Sequence, residues 1–249
     1  MPTSYFSYNE GTFVNRTPRI LLVSAIYELT PDLAETLQSI RWPILLFTES
    51  TLSDQLATYR QGFEDITRVV VLERKDWVST TKMINGFWSQ QVKQDPEIRL
   101  GRTAEDLQYM FERKDFMVKA VEMNPFGSTD FVWVYPTQLS SFAKIPSLTV
   151  NLPIPTDRIL VANPEPFTAD DIASSYFRGK QRVDNNILIG SKQCWIDFAK
   201  LYDVVMIEKL KTGGFIGDNA VMLHYMIIHK PNQFSLVKTS SLVNILSAT

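Results

Sequence analysis

Ile20-Leu21-Leu22-Val23-Ser24-Ala25-Ile26 is a nearly unbroken apolar run, and Thr30-Pro31 follows it within four residues. Continuous apolar character, without polar alternation, is what a strand covered on both faces requires. Thr30 then supplies an N-cap, and Pro31 suits the first helical position. Leu33, Leu37 and Ile40 recur at helical spacing. The pattern repeats: Ile44-Leu45-Leu46-Phe47-Thr48 reads as a second buried strand, and Leu52, Leu56, Tyr59 and Phe63 as a second helix. Arg68-Val69-Val70-Val71-Leu72 reads as a third strand. Strand–helix–strand–helix–strand predicts an α/β fold with a parallel, doubly wound sheet.

Beyond that unit, residues 76–124 read as helical. Phe131-Val132-Trp133-Val134-Tyr135 is a fourth buried strand, stopped by Pro136. Residues 144–158 are rich in Pro, Ser and Thr and read as a surface loop rather than an interdomain linker, because Ile159-Leu160-Val161-Ala162 resumes a strand. Thr168 to Asp171 resembles a capping box opening a short helix. Ile187-Leu188-Ile189-Gly190 is another short strand. Helices are expected at about 192–209 and 219–229, with Pro231 ending the last and Phe234-Ser235-Leu236-Val237 closing the sheet. One domain over 1–249 is expected, with 1–18 as an N-terminal arm. There is no internal repeat.

Composition narrows the function classes. Hydrophobic residues make up 45% of 249, enough for a sizeable core. A net charge of −2 without a long basic run gives no reason to expect nucleic acid or an anionic membrane as partner. Cys194 is the single cysteine, so no intrachain disulfide or cysteine metal cluster can form. Met1-Pro2-Thr3-Ser4-Tyr5-Phe6 lacks signal-peptide character, and no apolar run approaches the roughly 20 residues of a membrane span. A cytoplasmic location is the expectation. Asn15-Arg16-Thr17 matches a glycosylation acceptor, a pattern of little weight without a secretory signal.

Several chemistries lack their signatures. The chain has no Gly-x-x-x-x-Gly-Lys loop, no Gly-x-Gly-x-x-Gly after the first strand and no Gly-x-Ser-x-Gly elbow. His224 and His229, the only histidines, are five apart on an expected helix and face different ways, so a shared metal is not expected. Cys194 begins an apolar face with Trp195 and Phe198 and reads as packing.

Four features carry functional information, each with a plainer structural reading beside it. Lys114 falls on the stripe of Leu107, Phe111, Val118 and Val121, where an ammonium must meet an anion or snorkel outward. It is either half of a core ion pair or an anchor for a phosphate. Tyr135, Pro136, Thr137 and Gln138 lie at the carboxyl end of a buried strand, where open α/β sheets bind ligands; the alternative is an ordinary strand-to-loop junction. Asp218, after Gly213-Gly214-Phe215-Ile216-Gly217, sits at an N-cap and is also a candidate general base. Asp184, Asn185 and Asn186 offer the donors and acceptors that sugars need, and that turns also use.

Taken together, Asn124-Pro125-Phe126, Phe131-Val132-Trp133-Val134, the helix with Lys114, and Gly214-Phe215-Ile216-Gly217-Asp218-Asn219 resemble the HtrL/YibB family. Ile20 to Tyr27, Ile44 to Glu49, and Trp88-Ser89-Gln90-Gln91 before Asp95-Pro96-Glu97 extend the resemblance over roughly residues 20–238. That family is similar to glycosyltransferases of the GT-A fold. The resemblance implies a three-layer αβα sandwich with a mostly parallel, Rossmann-like sheet. It implies a nucleotide at Val23, Ser24, Ala25 and Tyr27, with sugar-phosphate and metal near Trp133 and Tyr135. Asp218, with Gly217 before it, is implied to lie near the acceptor. One departure stands out: Tyr135 occupies the place of the family's strand-end aspartate, and no Asp-x-Asp occurs. Hard divalent cations such as Mn²⁺ or Mg²⁺ want carboxylate oxygens, and a neutral phenol is a poor substitute. Asp130 lies at the strand's other end, about 15 Å away by strand rise.

The leading expectation is therefore transfer of a sugar from a nucleotide-sugar donor to a hydroxyl of a glycan or other acceptor. Lys114 or Arg182 would then supply charge at the diphosphate in place of the metal. Its rival is a non-catalytic GT-A-shaped module that binds a nucleotide, glycan or protein after losing that metal site. A hydrolase of nucleotide-linked substrates ranks third, since no water-activating cluster is visible.

Overall fold

Side chains of successive strand residues point to opposite faces, so a strand buried on both sides must be apolar at odd and even positions alike. A computed structural model of the chain, describing residues 19–145, 154–173 and 182–243, shows this in β1 (Ile20–Ala25), β2 (Ile44–Thr48) and β4 (Asp130–Val134), every residue of which is buried. Leu21, Val23, Leu45, Phe47, Phe131 and Trp133 join one core. Ile20, Leu22, Ile44, Leu46, Val132 and Val134 join a second core on the other side.

The sheet has seven strands, completed by β3 (Thr67–Val71), β5 (Ile159–Ala162), β6 (Asp184–Ser191) and β7 (Phe234–Val237). Their order is β3-β2-β1-β4-β6-β5-β7. Pairing is parallel for β2 with β3, β1 with β2, β1 with β4 and β5 with β7, and antiparallel where β6 meets β4 and β5. The expected α/β architecture with a mostly parallel sheet is thus observed.

Helices cover both faces. Beneath the second core lie α1 (Pro31–Ser39), α2 (Ser50–Tyr59) and α6 (Leu139–Ala143), through Leu37, Leu56, Leu139 and Phe142. Over the first core lie α5 (Ala104–Met123), α8 (Lys192–Lys211) and α9 (Asn219–His229). Phe116, Trp195 and Met226 represent them there. The short α3 (Val78–Thr81) and α4 (Phe87–Gln94) pack against α5. Thr30 caps α1 through the Leu33 N–H, with Pro31 in its first turn.

Two local readings change on folding and one holds. The expected helical stretch 76–124 is broken at Gly86 and Gly101, both at positive φ (79° and 66°), a backbone that glycine adopts without strain. Asp184, Asn185 and Asn186 lie inside β6 rather than before it, because the Asn186 carbonyl accepts the Tyr135 N–H and Asp184 pairs with Ala162 across an irregularity. The box at Thr168 does form: Asp171 accepts from the Thr168 N–H and hydroxyl at the head of α7 (Ala169–Ala173). The N-terminal arm, Asn15-Arg16-Thr17 and the middle of the 144–158 loop lie outside the described residues. Among the described residues no helix is long and apolar enough to cross a membrane.

Mid-helix α5 carries three consecutive buried charges, Glu112, Arg113 and Lys114. Successive helical residues point about 100° apart, so each meets a different neighbour. Glu112 accepts from the Val78 and Ser79 N–H groups at the start of α3. Lys114 bridges Asp115 and Asp203, tying α5 to α8.

On α9, His224 is buried with its ring 5.6 Å from that of Phe167. Burial holds its pKa down at about 4, against about 6.5 unfolded. The unfolded chain therefore binds the extra proton first. His224 contributes fully above about pH 6.5, and that contribution is lost as pH falls through about 4. Urea unfolding at about pH 7 and about pH 4.5 should show the parent protein losing about 2–3 kcal/mol more than His224→Phe over that interval. Equal losses in the two proteins would mean that His224 does not titrate in this way.

Candidate functional site

The register that sets Ile20 opposite Asp130 and Val23 opposite Trp133 carries Ala25 to the level of Tyr135. The Ile26 N–H makes a last rung to the Phe47 carbonyl beyond β1, and Pro136 ends β4 and opens a single 3-10 turn leading into α6. Between the strand ends is a cleft of about 680 Å³, within the size range of small-ligand sites.

Four tyrosine and tryptophan rings organise this edge. The Tyr27 hydroxyl donates to the Leu72 carbonyl (2.7 Å) and accepts from Trp77 Nε1 (3.0 Å). The Tyr109 hydroxyl donates to the Ala25 carbonyl (2.8 Å). Tyr135 meets Tyr109 edge to face, centroids 5.7 Å apart. Tyr135 is held by its backbone N–H, at 2.9 Å from the Asn186 carbonyl, and among the described residues its hydroxyl makes no hydrogen bond. Burial raises the phenols of Tyr27, Tyr109 and Tyr135 above the usual tyrosine range, so all three are neutral near pH 7.

The cleft wall also carries Glu28, Asp32, Glu105 and Asp106 against one cation, Arg74. Arg74 is already bridged to Glu49 and Glu105, and its guanidinium lies 5.4 Å from the Tyr27 ring centroid. Asp106 closes a capping box with Thr103. The lining therefore offers acceptors and aromatic faces in excess of positive charge.

The expected residues fall in several places. Ala25, Tyr27, Tyr135 and Thr137 line the cleft together. Val23 and Trp133 are core, and the Ser24 hydroxyl is committed to the Val134 carbonyl. Gln138 ends the 3-10 turn, with its N–H on the Tyr135 carbonyl. In β6, Asp184 accepts from Asn186, while the Asn185 and Asn186 carbonyls receive Arg113 and the Tyr135 N–H. Lys114 is away from the cleft in its ion pairs, and Arg182 is bridged to Glu165 and Asp171. Neither is available to an anion at the strand ends, a correction to the charge role expected for them.

Gly217 lies against α5, where a Cβ would sit 2.8 Å from a Leu107 methyl. Asp218 caps α9 through the Ala220 and Val221 N–H groups, and its other oxygen binds Arg102, which also holds Asp95. Both Asp218 oxygens are thus engaged, whereas a general base needs one turned toward substrate. For a divalent cation the donor set does not fit: Tyr135 stands at the strand end, and among the described residues no group of three or more His, Cys, Asp or Glu side chains could hold a metal.

Sequence reading missed Tyr109, Arg74 and Arg113. Tyr109 and Arg113 are four apart on α5, a spacing that places them on one face, but only the strand pairing shows that this face meets the cleft edge. Arg113 is 2% exposed. Its Nη1 donates to the Asn185 carbonyl (2.8 Å); its Nε and Nη2 are buried without a hydrogen-bond partner among the described residues. Burial lowers its pKa to about 10, which leaves it charged near pH 7.

No protein-family model matches the chain, and no curated protein matches it significantly in sequence.

Asp218→Ala should destabilise the fold by about 1–3 kcal/mol through loss of the cap and of one Arg102 partner. Asp218→Asn, which keeps a capping oxygen, should cost distinctly less. Urea denaturation of the two variants measures the difference; equal costs would remove the cap from the account.

Proposed function

We propose that the protein is a glycosyltransferase that takes a sugar from a nucleotide-sugar and passes it to a hydroxyl, as resemblance to the HtrL/YibB family and the GT-A fold implies. The observation that carries the reading is the shared opening of the β1 and β4 ends, with Ala25, Tyr27, Tyr135 and Thr137 on one cleft. Three physical features support it. The volume suits a nucleotide-sugar. Carboxylates on the wall accept hydrogen bonds from sugar hydroxyls, and tyrosine faces cover the C–H faces of a sugar or the plane of a base.

In the transfer, the acceptor oxygen bonds to the anomeric carbon as the bond from that carbon to the diphosphate oxygen breaks. The electron pair leaves with the nucleoside diphosphate, and the hydroxyl proton passes to a base or to solvent. Residues of the cleft bind and orient the donor. No step is routed through a metal, because the strand-end residues do not fit one.

Tyr135 in the place of a carboxylate favours a second reading: a binding module of the same shape that holds the nucleotide-sugar without turning it over.

Thermal denaturation with a panel of nucleoside diphosphates and their sugars, with and without Mn²⁺, tests the binding. At a ligand concentration about 100-fold above Kd the stabilisation is about 2.7 kcal/mol, a rise of several degrees for a chain of this size. Release or transfer of the sugar then separates enzyme from binder. The absence of any shift across the panel would end both readings.

A further inference from the structure

A buried guanidinium without a carboxylate is costly, because its lost hydration is not replaced by a counter-charge. Arg113 is close to that position: Asp184 and Asp218 act on it through space, but neither bonds to it. Glu112 beside it is engaged by α3, Lys114 by Asp115 and Asp203, and Asp218 by Arg102 and the α9 cap. Among the described residues no acid forms an ion pair with Arg113, and two of its three nitrogens lack partners. Those nitrogens are at the carboxyl edge of the sheet. Asn185, whose carbonyl Arg113 grips, directly precedes Asn186, whose carbonyl holds the Tyr135 N–H. Tyr109, one turn earlier on α5, lines the cleft with Tyr135.

Tyr135 is also the ring at this edge that can move. The hydroxyls of Tyr27 and Tyr109 are tethered to main-chain carbonyls, and that of Tyr135 makes no such bond among the described residues.

We propose that Arg113 is an anion-binding residue that receives a phosphate of the ligand at the end of β4 when the Tyr135 side chain swings aside. The inference deepens the nucleotide-sugar reading and rests on it for the identity of the ligand. It supplies positive charge from behind the cleft, where the wall's one cation, Arg74, is already bridged to Glu49 and Glu105. A guanidinium suits the task, since its planar fork binds two phosphate oxygens at once.

The test uses inorganic pyrophosphate with the full chain, read by calorimetric titration and thermal denaturation. The parent protein should bind it. Arg113→Met should weaken binding by about tenfold or more, the worth of one charge-assisted hydrogen bond, while melting no lower than the parent without ligand. Tyr135→Ala, at a partly buried position, should strengthen binding by clearing the path, and it serves if Arg113→Met fails to fold. No binding by the parent protein, unchanged affinity in Arg113→Met, or unchanged or weaker affinity in Tyr135→Ala would overturn the proposal. If a nucleotide-sugar binds Arg113→Met as tightly as the parent, the role of Arg113 falls and the donor reading stands. If pyrophosphate binds through Arg113 but no nucleotide-sugar binds, the donor reading falls and the anion site stands.

Discussion

The parallel pairing of β1 with β4 is the constraint on which the rest depends. These strands are distant in sequence, and their register fixes where both end. Because each is buried on both faces, helices must lie above and below, and the only open direction is along the strand axis. The cleft is the consequence: Ala25 and Tyr135 come to one level, and the connections leaving them form its walls. The Ser24 hydroxyl bonded to the Val134 carbonyl is part of the same lock, a polar group satisfied between neighbouring strands.

The helix α5 transmits that constraint to charge. It lies under α3, α4 and α8 while packing on the sheet, so its middle has no solvent-facing side. Three adjacent ionised residues in such a place must each find something different. Glu112 finds the amide groups of α3, and Lys114 finds two aspartates. Arg113 finds a single carbonyl and the face of the Phe198 ring. Burial without full compensation marks a site where stability has been given up, and such sites are enriched at functional positions. The cleft itself is acidic and aromatic, so the electrostatics of the region divide into an acceptor-rich wall and a cation behind it.

Much of this was legible locally. The apolar runs at 20–26, 44–48 and 131–135 announced covered strands, and Thr30-Pro31 announced the first helix. Tyr135 and Thr137, read from the sequence as a strand end, line one cleft with Ala25 and Tyr27. Lys114 shows the limit of such reading. Its position on an apolar stripe required an anion, but the sequence does not say whether that anion is a ligand or Asp203, 89 residues away in the chain. Asp218 shows the same limit, since a cap, an ion pair and a base all begin as an aspartate before a helix.

What the sequence determined by itself is the alternation of strands and helices and the identity of the strand ends, because burial period and capping chemistry are written in neighbouring residues. Only the tertiary structure decided which charges answer one another. Ion pairs and orphaned donors depend on residues brought together across long loops, so Lys114 became a structural bridge, Asp218 a cap held by Arg102, and Arg113 the cation left over beside the cleft.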